Sequence, residues 1–239
     1  MATYDNYSYD NFLYVPNTVC PTLQIRKLAR SKYDRRTGRH VPRFDHYCGW
    51  LGKPIGEENY LTFLVFVVVH LVMCSYGAIL MLRMFWGMAL DDGNAQEAAS
   101  SSSWYQCMAL FLIQLSHYPL ETFVFCLLSI VSYTLAGFLS FHLYIISKGM
   151  TTNEYFKWKE ASKRFKNGNS NSNNTKMKTN SDDQEDHHQQ QQWKEQRNGI
   201  ATTSVVGTIP NNMYNLGICG NFHEVFYPRS LRKTLQKKE

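Results

Sequence analysis

Two long apolar runs dominate this chain of 239 residues. The first, LTFLVFVVVHLVMCSYGAILML from Leu61 to Leu82, holds one polar interruption, His70, and no charged residue. An α-helix rises about 1.5 Å per residue, so a hydrocarbon core about 30 Å thick takes roughly 20 residues. The run predicts a membrane-spanning helix over 61–86, closed at the interface by Arg83, Phe85 and Trp86. The second run, Leu120 to Ile146, predicts another span over 119–147. Glu121 suits the positive end of its dipole, and Lys148 lies just past its other end. Between the spans, 87–118 reads as a polar, small-residue loop followed by YQCMALFLIQLSHY. That stretch is too short to cross and is ended by Pro119, which predicts an interfacial or re-entrant approach.

The remaining segments are polar. Residues 1–19 are rich in Tyr and Asn, and 20–60 form a basic stretch punctuated by Pro and Gly, which predicts a compact, loop-rich module with short turns. Residues 148–166 follow the second span and read as a helix. From Asn167 the sequence NGNSNSNNTKMKTNSDDQEDHHQQQQ begins a biased stretch, 167–210, with no means of building a core. His187 and His188 within it read as low complexity rather than as metal ligands. Residues 211–239 recover aromatic character in YNLGICGNFHEVFY before a basic tail. The fold class expected is a mainly α membrane protein: two transmembrane helices, a small loop-rich cytosolic module before them and a partly disordered cytosolic tail.

Charge orients this arrangement. Arg26, Lys27, Arg30, Lys32, Arg35, Arg36, Arg39, Arg43 and Lys53 precede the first run, and Lys148, Lys157, Lys159, Lys163, Arg164 and Lys166 follow the second. The connecting loop offers Arg83 at its edge with Asp91, Asp92 and Glu97. The asymmetry predicts both termini in the cytosol. A formal charge of +6 flanking apolar runs suits an anionic membrane face rather than nucleic acid. The first residues have no apolar signal-peptide core, and the six cysteines, at 20, 48, 74, 107, 126 and 219, are scattered. Cys20, Cys48 and Cys219 are therefore expected as reduced cytosolic thiols rather than a disulfide framework.

Chemistry concentrates in RFDHYCGW, Arg43 to Trp50. A free thiol is mostly protonated at neutral pH. A neighbouring imidazole, His46, can take the proton from Cys48, and Asp45 can fix the tautomer of that imidazole and favour its charged form. Arg43 is expected to favour a thiolate as well. Asp-His-x-Cys also arises by chance in surface loops, so the four residues leave both readings open.

The surroundings narrow them. K-x-x-R-S-K from Lys27, V-x-R-F-D-H-x-C-x-W from Val41 and G-x-x-N-Y from Gly56 resemble the cysteine-rich domain of the DHHC protein palmitoyltransferases. Thr151, Thr152 and Glu154 resemble that family's T-T-x-E motif, and Tyr214 to Phe226, with Asn221, its aromatic C-terminal motif. Thr151 followed by Glu154 is also a helix-capping pattern, and the two readings are compatible. The resemblance implies a two-step S-acyl transfer. Cys48 would accept a palmitoyl group from palmitoyl-CoA and pass it to cysteines of cytosolic-face proteins, with His46 as base and Asp45 as its orienting partner. Thr151, Thr152, Glu154 and Asn221 would support the site. The implied partners are palmitoyl-CoA, membrane lipids and substrate proteins, the implied residence endoplasmic reticulum or Golgi membranes. The implied alternative is an impaired, adaptor-like member that binds acyl chains or partner proteins.

The chain departs from this pattern in two ways. The family folds its module on two zinc ions, but the corresponding positions here hold Cys20, Leu23, Tyr33 and His40, and Asp34, Thr37, Tyr47 and Pro54. Neither set assembles a tetrahedral site. No cofactor is expected, zinc is expected to be lost with Cys20 and His40 as remnants, and Tyr33, Tyr47 and Trp50 are expected to fill the space with apolar packing. The motif's second histidine is Tyr47, a zinc-ligand position, so the base at His46 is retained. Gly49 replaces the usual proline. Family members also generally carry four spanning helices, of which the latter pair is present, so a truncated or reduced member is expected. His70 and His142 are expected to bond across helices more often than to line an acyl path.

Overall fold

The computed structural model describes residues 7–91, 105, 112–113, 115–170 and 210–230. The basic stretch folds into two small antiparallel hairpins. Strands β1 (Lys32–Asp34) and β2 (Arg39–Val41) pair Tyr33 with His40, and β3 (His46–Cys48) and β4 (Lys53–Ile55) pair Tyr47 with Pro54. Each turn closes on a glycine in the left-handed region, Gly38 at φ +66° and Gly52 at φ +61°, a conformation that costs a side-chain-bearing residue about 1 kcal/mol or more.

Helix α1 (Tyr60–Asp91) follows, then α2 (Pro119–Ser147), which starts on the proline. The stretches Tyr60–Met88 and Pro119–Ser147 are long and apolar enough to cross a membrane, and their most apolar windows are only 11% and 0% buried. A core helix of a soluble protein would be covered; these present apolar side chains outward, as a lipid-facing pair does. The protein is a membrane protein. The helices run antiparallel: Tyr60 meets His142 at one end, Ser75 bonds Ser132 midway at 2.6 Å, and Phe85 packs on Phe125 at the other. Gly77 permits the close approach, since a Cβ there would stand 3.0 Å from Leu128. His70 does not bridge the pair; it is exposed and bonds the Phe66 carbonyl of its own helix at 2.7 Å.

Antiparallel packing brings the start of α1 and the end of α2 to one membrane face, and every other element described gathers there. Helix α3 (Thr152–Ser170) leaves α2 through Gly149, and α4 (Gly217–Phe226) packs against the end of α2. Gly149 sits at φ +68°, and a Cβ there would lie within 2.9 Å of the Tyr214 carbonyl, Asn215 and Asn221. Helix α3 runs to Ser170, into the stretch expected to be disordered; 171–209, including His187 and His188, lie outside the described residues, as does most of the expected interfacial segment. Trp50 corrects an expectation: it stands at the β3–β4 hairpin tip, 92% exposed, and fills nothing. A hairpin tip has no layer above it.

Candidate functional site: a thiol, an imidazole and a carboxylate at the membrane edge

Strand periodicity arranges the motif. Successive side chains on β3 point to opposite faces, so His46 and Cys48 share one face and Tyr47 takes the other. On that other face the Arg36 guanidinium lies over the Tyr47 ring, 4.1 Å from its centroid. Cys48 is 6% exposed, in an apolar cluster with Ile55, Tyr60, Phe63, Val67, Ile146 and Val225. The thiol therefore looks onto the head of the α1–α2 pair.

Asp45, 1% exposed, extends the ladder through its N–H to the Ile55 carbonyl, 2.8 Å. Its carboxylate accepts three hydrogen bonds: from Thr152 N (2.6 Å), from Thr152 Oγ1 (2.9 Å) and from His46 Nδ1 (2.7 Å). Thr152 is the first residue of α3, so the carboxylate lies against a helix N-terminus, where backbone N–H groups and the dipole favour negative charge. An ionised carboxylate only accepts. His46 Nδ1 therefore carries the proton, and Nε2 is left with the lone pair of a base. The ring of His46 is steadied edge-on by Phe63, 4.9 Å between centroids.

The T-T-x-E residues combine both expected readings. Thr151 and Glu154 form a capping box: Glu154 N–H donates to Thr151 Oγ1 (3.2 Å) and Thr151 N–H to Glu154 Oε2 (2.9 Å). The same two side chains brace the module. Thr151 Oγ1 donates to the Phe44 carbonyl beside Asp45 (3.0 Å), and Glu154 takes Arg30 in a two-point pair, Nε at 2.7 Å and Nη2 at 2.5 Å. Both side chains of this pair are almost fully buried, 2% and 3% exposed. Burial alone would raise the Glu154 carboxyl, but Arg30, with the Thr151 N–H and the Arg43 charge, together outweigh it and hold the group below its ordinary value. Tyr14 donates to Glu154 as well (3.1 Å), and burial pushes that phenol well above its usual range. Arg30 also reaches the Gly149 carbonyl and lies over the Tyr214 ring.

Asn221, 2% exposed, donates to the Ser147 carbonyl at the end of α2 and accepts from Leu216 N–H. It ties α4 to the membrane helix rather than touching Cys48's neighbours on β3. Arg43 Nη1 donates to the Glu224 carbonyl of α4 (3.2 Å), so it braces the C-terminal helix. Reading the sequence missed Tyr14 altogether and gave Arg30 a place in K-x-x-R-S-K without assigning it a partner.

The zinc positions do not fit a metal. Leu23 and Pro54 offer no side-chain donor. Asp34 Oδ2 is engaged by Thr37 N (3.0 Å) and Thr37 Oγ1 (2.6 Å), closing the β1–β2 turn. Cys20 is buried, and His40 is left with a buried Nε2 that has no partner; burial, with Lys27 nearby, lowers its pKa. Two remnant donors do not make a tetrahedral set.

This is a membrane protein in which a carboxylate-oriented imidazole shares a strand face with a buried thiol. Residues 14–159 match the family model described as DHHC palmitoyltransferase. The chain belongs to that family. It is 34% identical over 158 residues to palmitoyltransferase SWF1 of Yarrowia lipolytica, covering 64% of this chain and 40% of that protein. It is 32% identical over 158 residues to palmitoyltransferase ZDHHC4 of Mus musculus, covering 63% and 45%. It is 27% identical over 147 residues to protein S-acyltransferase 8 of Arabidopsis thaliana, covering 61% and 32%. The matches span less than half the length of these relatives.

Proposed function

We propose that the chain is a protein S-acyltransferase, moving a palmitoyl group from palmitoyl-CoA through acyl-Cys48 to cysteines of proteins at the cytosolic membrane face. The observation that carries this reading is that His46, oriented by Asp45, shares one strand face with Cys48, whose thiol lies in an apolar layer at the head of two membrane helices. In the first half-reaction the Cys48 sulfur attacks the thioester carbonyl and its proton passes to His46 Nε2. The bond from the carbonyl carbon to the coenzyme A sulfur breaks, and the departing thiolate takes that proton. In the second, a substrate thiol gives its proton to His46 and attacks acyl-Cys48; the Cys48 thiolate leaves and recovers the proton. Each half exchanges one thioester for another, so no oxidant, reductant or cofactor is needed. Asp45 keeps Nε2 as the base and stabilises the imidazolium. Burying an acyl chain among apolar side chains is worth on the order of 0.8 kcal/mol per methylene, which supports a site beside membrane helices.

Thr152 orients Asp45, while Thr151, Glu154 and Asn221 hold the supporting elements. Both tails lie in the cytosol, at the endoplasmic reticulum or Golgi, where the basic residues around the apolar runs meet anionic lipid. No zinc is required. The test is hydroxylamine-sensitive labelling with an alkynyl fatty acid: wild-type protein takes the label, and Cys48→Ser abolishes both label and transfer to substrate. Equal transfer by Cys48→Ser overturns the reading. The missing zinc donors favour one alternative, a membrane adaptor that binds acyl chains or partner proteins without turnover. It predicts no label on the wild type and partner binding that survives Cys48→Ser.

A further inference from the structure

A second histidine reaches the catalytic pair from inside the membrane helices. His142 lies on α2, five residues before its end, and is 1% exposed. A polar side chain in this setting is costly unless it is paired. One partner is Tyr60, the first residue of α1, whose hydroxyl lies 2.9 Å from His142 Nδ1. That bond alone would satisfy an inter-helix bridge. The location asks for more. A ring nitrogen of His142, a ring nitrogen of His46 and a carboxylate oxygen of Asp45 all lie within 4.8 Å of one another. The two imidazole rings are 6.0 Å apart, and Phe63 contacts both, at 4.9 Å and 5.1 Å. Phe138, 4.5 Å from His142, holds that ring in place. The same three groups offer donors to a cation, but Asp45 and His46 are engaged with each other and with Thr152.

We propose that His142, held by Tyr60, is a positioning residue for the His46 imidazole: it packs beside the ring so that Nδ1 stays on Asp45 and Nε2 stays available to the reacting thiol. The proposal rests on the acyltransferase reading. The proton path is unchanged by it, since the proton still moves between thiol and His46 Nε2; what His142 supplies is a further neighbour that, with Asp45 and Phe63, holds one ring orientation. Placement of a base carries a large share of its effect, and general-base catalysis is worth roughly 10²–10⁴ in rate.

The experiment measures single-turnover acylation of Cys48 by palmitoyl-CoA, across pH, on the full chain in lipid nanodiscs. His142→Phe keeps the ring and its packing but strands the Tyr60 hydroxyl, so its unfolding temperature is expected to fall. The double variant Tyr60→Phe/His142→Phe removes both partners and leaves no unpaired group, which restores stability. A positioning role predicts that the double variant, though stable, acylates at least about tenfold more slowly and shows a displaced acid limb in its pH–rate profile. His142→Asn, which keeps a polar group toward Tyr60, is expected between it and wild type. A stable double variant with wild-type rate and pH profile overturns the proposal and leaves the acyltransferase reading standing. A wild type that takes no acyl group from palmitoyl-CoA overturns that reading itself, and the role of His142 with it.

Discussion

The two hairpins of the module have the same strand lengths and the same antiparallel topology, yet they are held in different ways. β3–β4 is stabilised from outside. Ile55 is fully buried, Cys48 nearly so, and both pack on α1, α2 and α4 residues, while Asp45 at its edge is fixed by the first residue of α3. β1–β2 is closed from within, by Asp34 on Thr37 and by Gly38 N–H on the Asp34 carbonyl (2.9 Å). It carries four of the eight positions where the family places zinc ligands, Tyr33, Asp34, Thr37 and His40, and β3–β4 carries two, Tyr47 and Pro54. An isolated two-stranded hairpin is marginal in water. The difference teaches that the chemistry-bearing hairpin takes its rigidity from membrane helices and from the T-T-x-E segment, so the geometry of Asp45 and His46 does not depend on a metal at β1–β2 for its support.

The strongest way to break that contrast is to remove one partner of the buried pair behind β3–β4. Glu154→Gln leaves Arg30 buried without its counter-charge, an expected loss of roughly 3–5 kcal/mol, read as a fall in unfolding temperature of the solubilised protein. The carboxyl of Glu154 sits below its ordinary value, so its contribution is complete above the usual glutamate range near about 4.3 and is lost as pH falls below it. Wild-type protein should lose stability in acid through this group, and Glu154→Gln should lack that component. A smaller effect is expected on the other hairpin: Asp34→Ala costs about 1 kcal/mol through two turn hydrogen bonds, with Cys48 acylation nearly unchanged. An acylation rate that collapses in Asp34→Ala would make the hairpins interdependent after all. The smallest effect concerns zinc. Purified protein should contain well under one zinc per chain by elemental analysis, and a chelator should leave its unfolding temperature where it was.

How much of this was legible depends on distance along the chain. The two spans followed from run length, and both helices stand where the apolar runs predicted. The Asp-His-x-Cys stretch and the T-T-x-E stretch were each visible, because each is local. That one clamps the other was carried by resemblance alone, since Asp45 and Thr152 are 107 residues apart. The same holds for Arg30 and Glu154, 124 apart, and for Tyr14, which nothing in its neighbours marked. Trp50 was misjudged for a related reason: an aromatic residue beside a reactive cysteine reads as filling until the turn that carries it is known to point outward.

His70 and His142 state the division most sharply. Each is a lone imidazole in an apolar run, and the sequence treats them alike. One ends exposed on its own helix, the other buried against Tyr60 and the Asp45–His46 pair. The sequence by itself determined the periodic and the adjacent: helices long enough for a bilayer, a carboxylate, an imidazole and a thiol within four residues, a threonine that caps; that the imidazole and thiol ride a strand, on one face of it, came from the structure, where a loop-rich module was expected. Only the tertiary structure decided which helix face meets which neighbour. Packing two helices and a hairpin fixes a rotation that no local spacing encodes, and that rotation chose the distant partners of Arg30, Asp45 and His142.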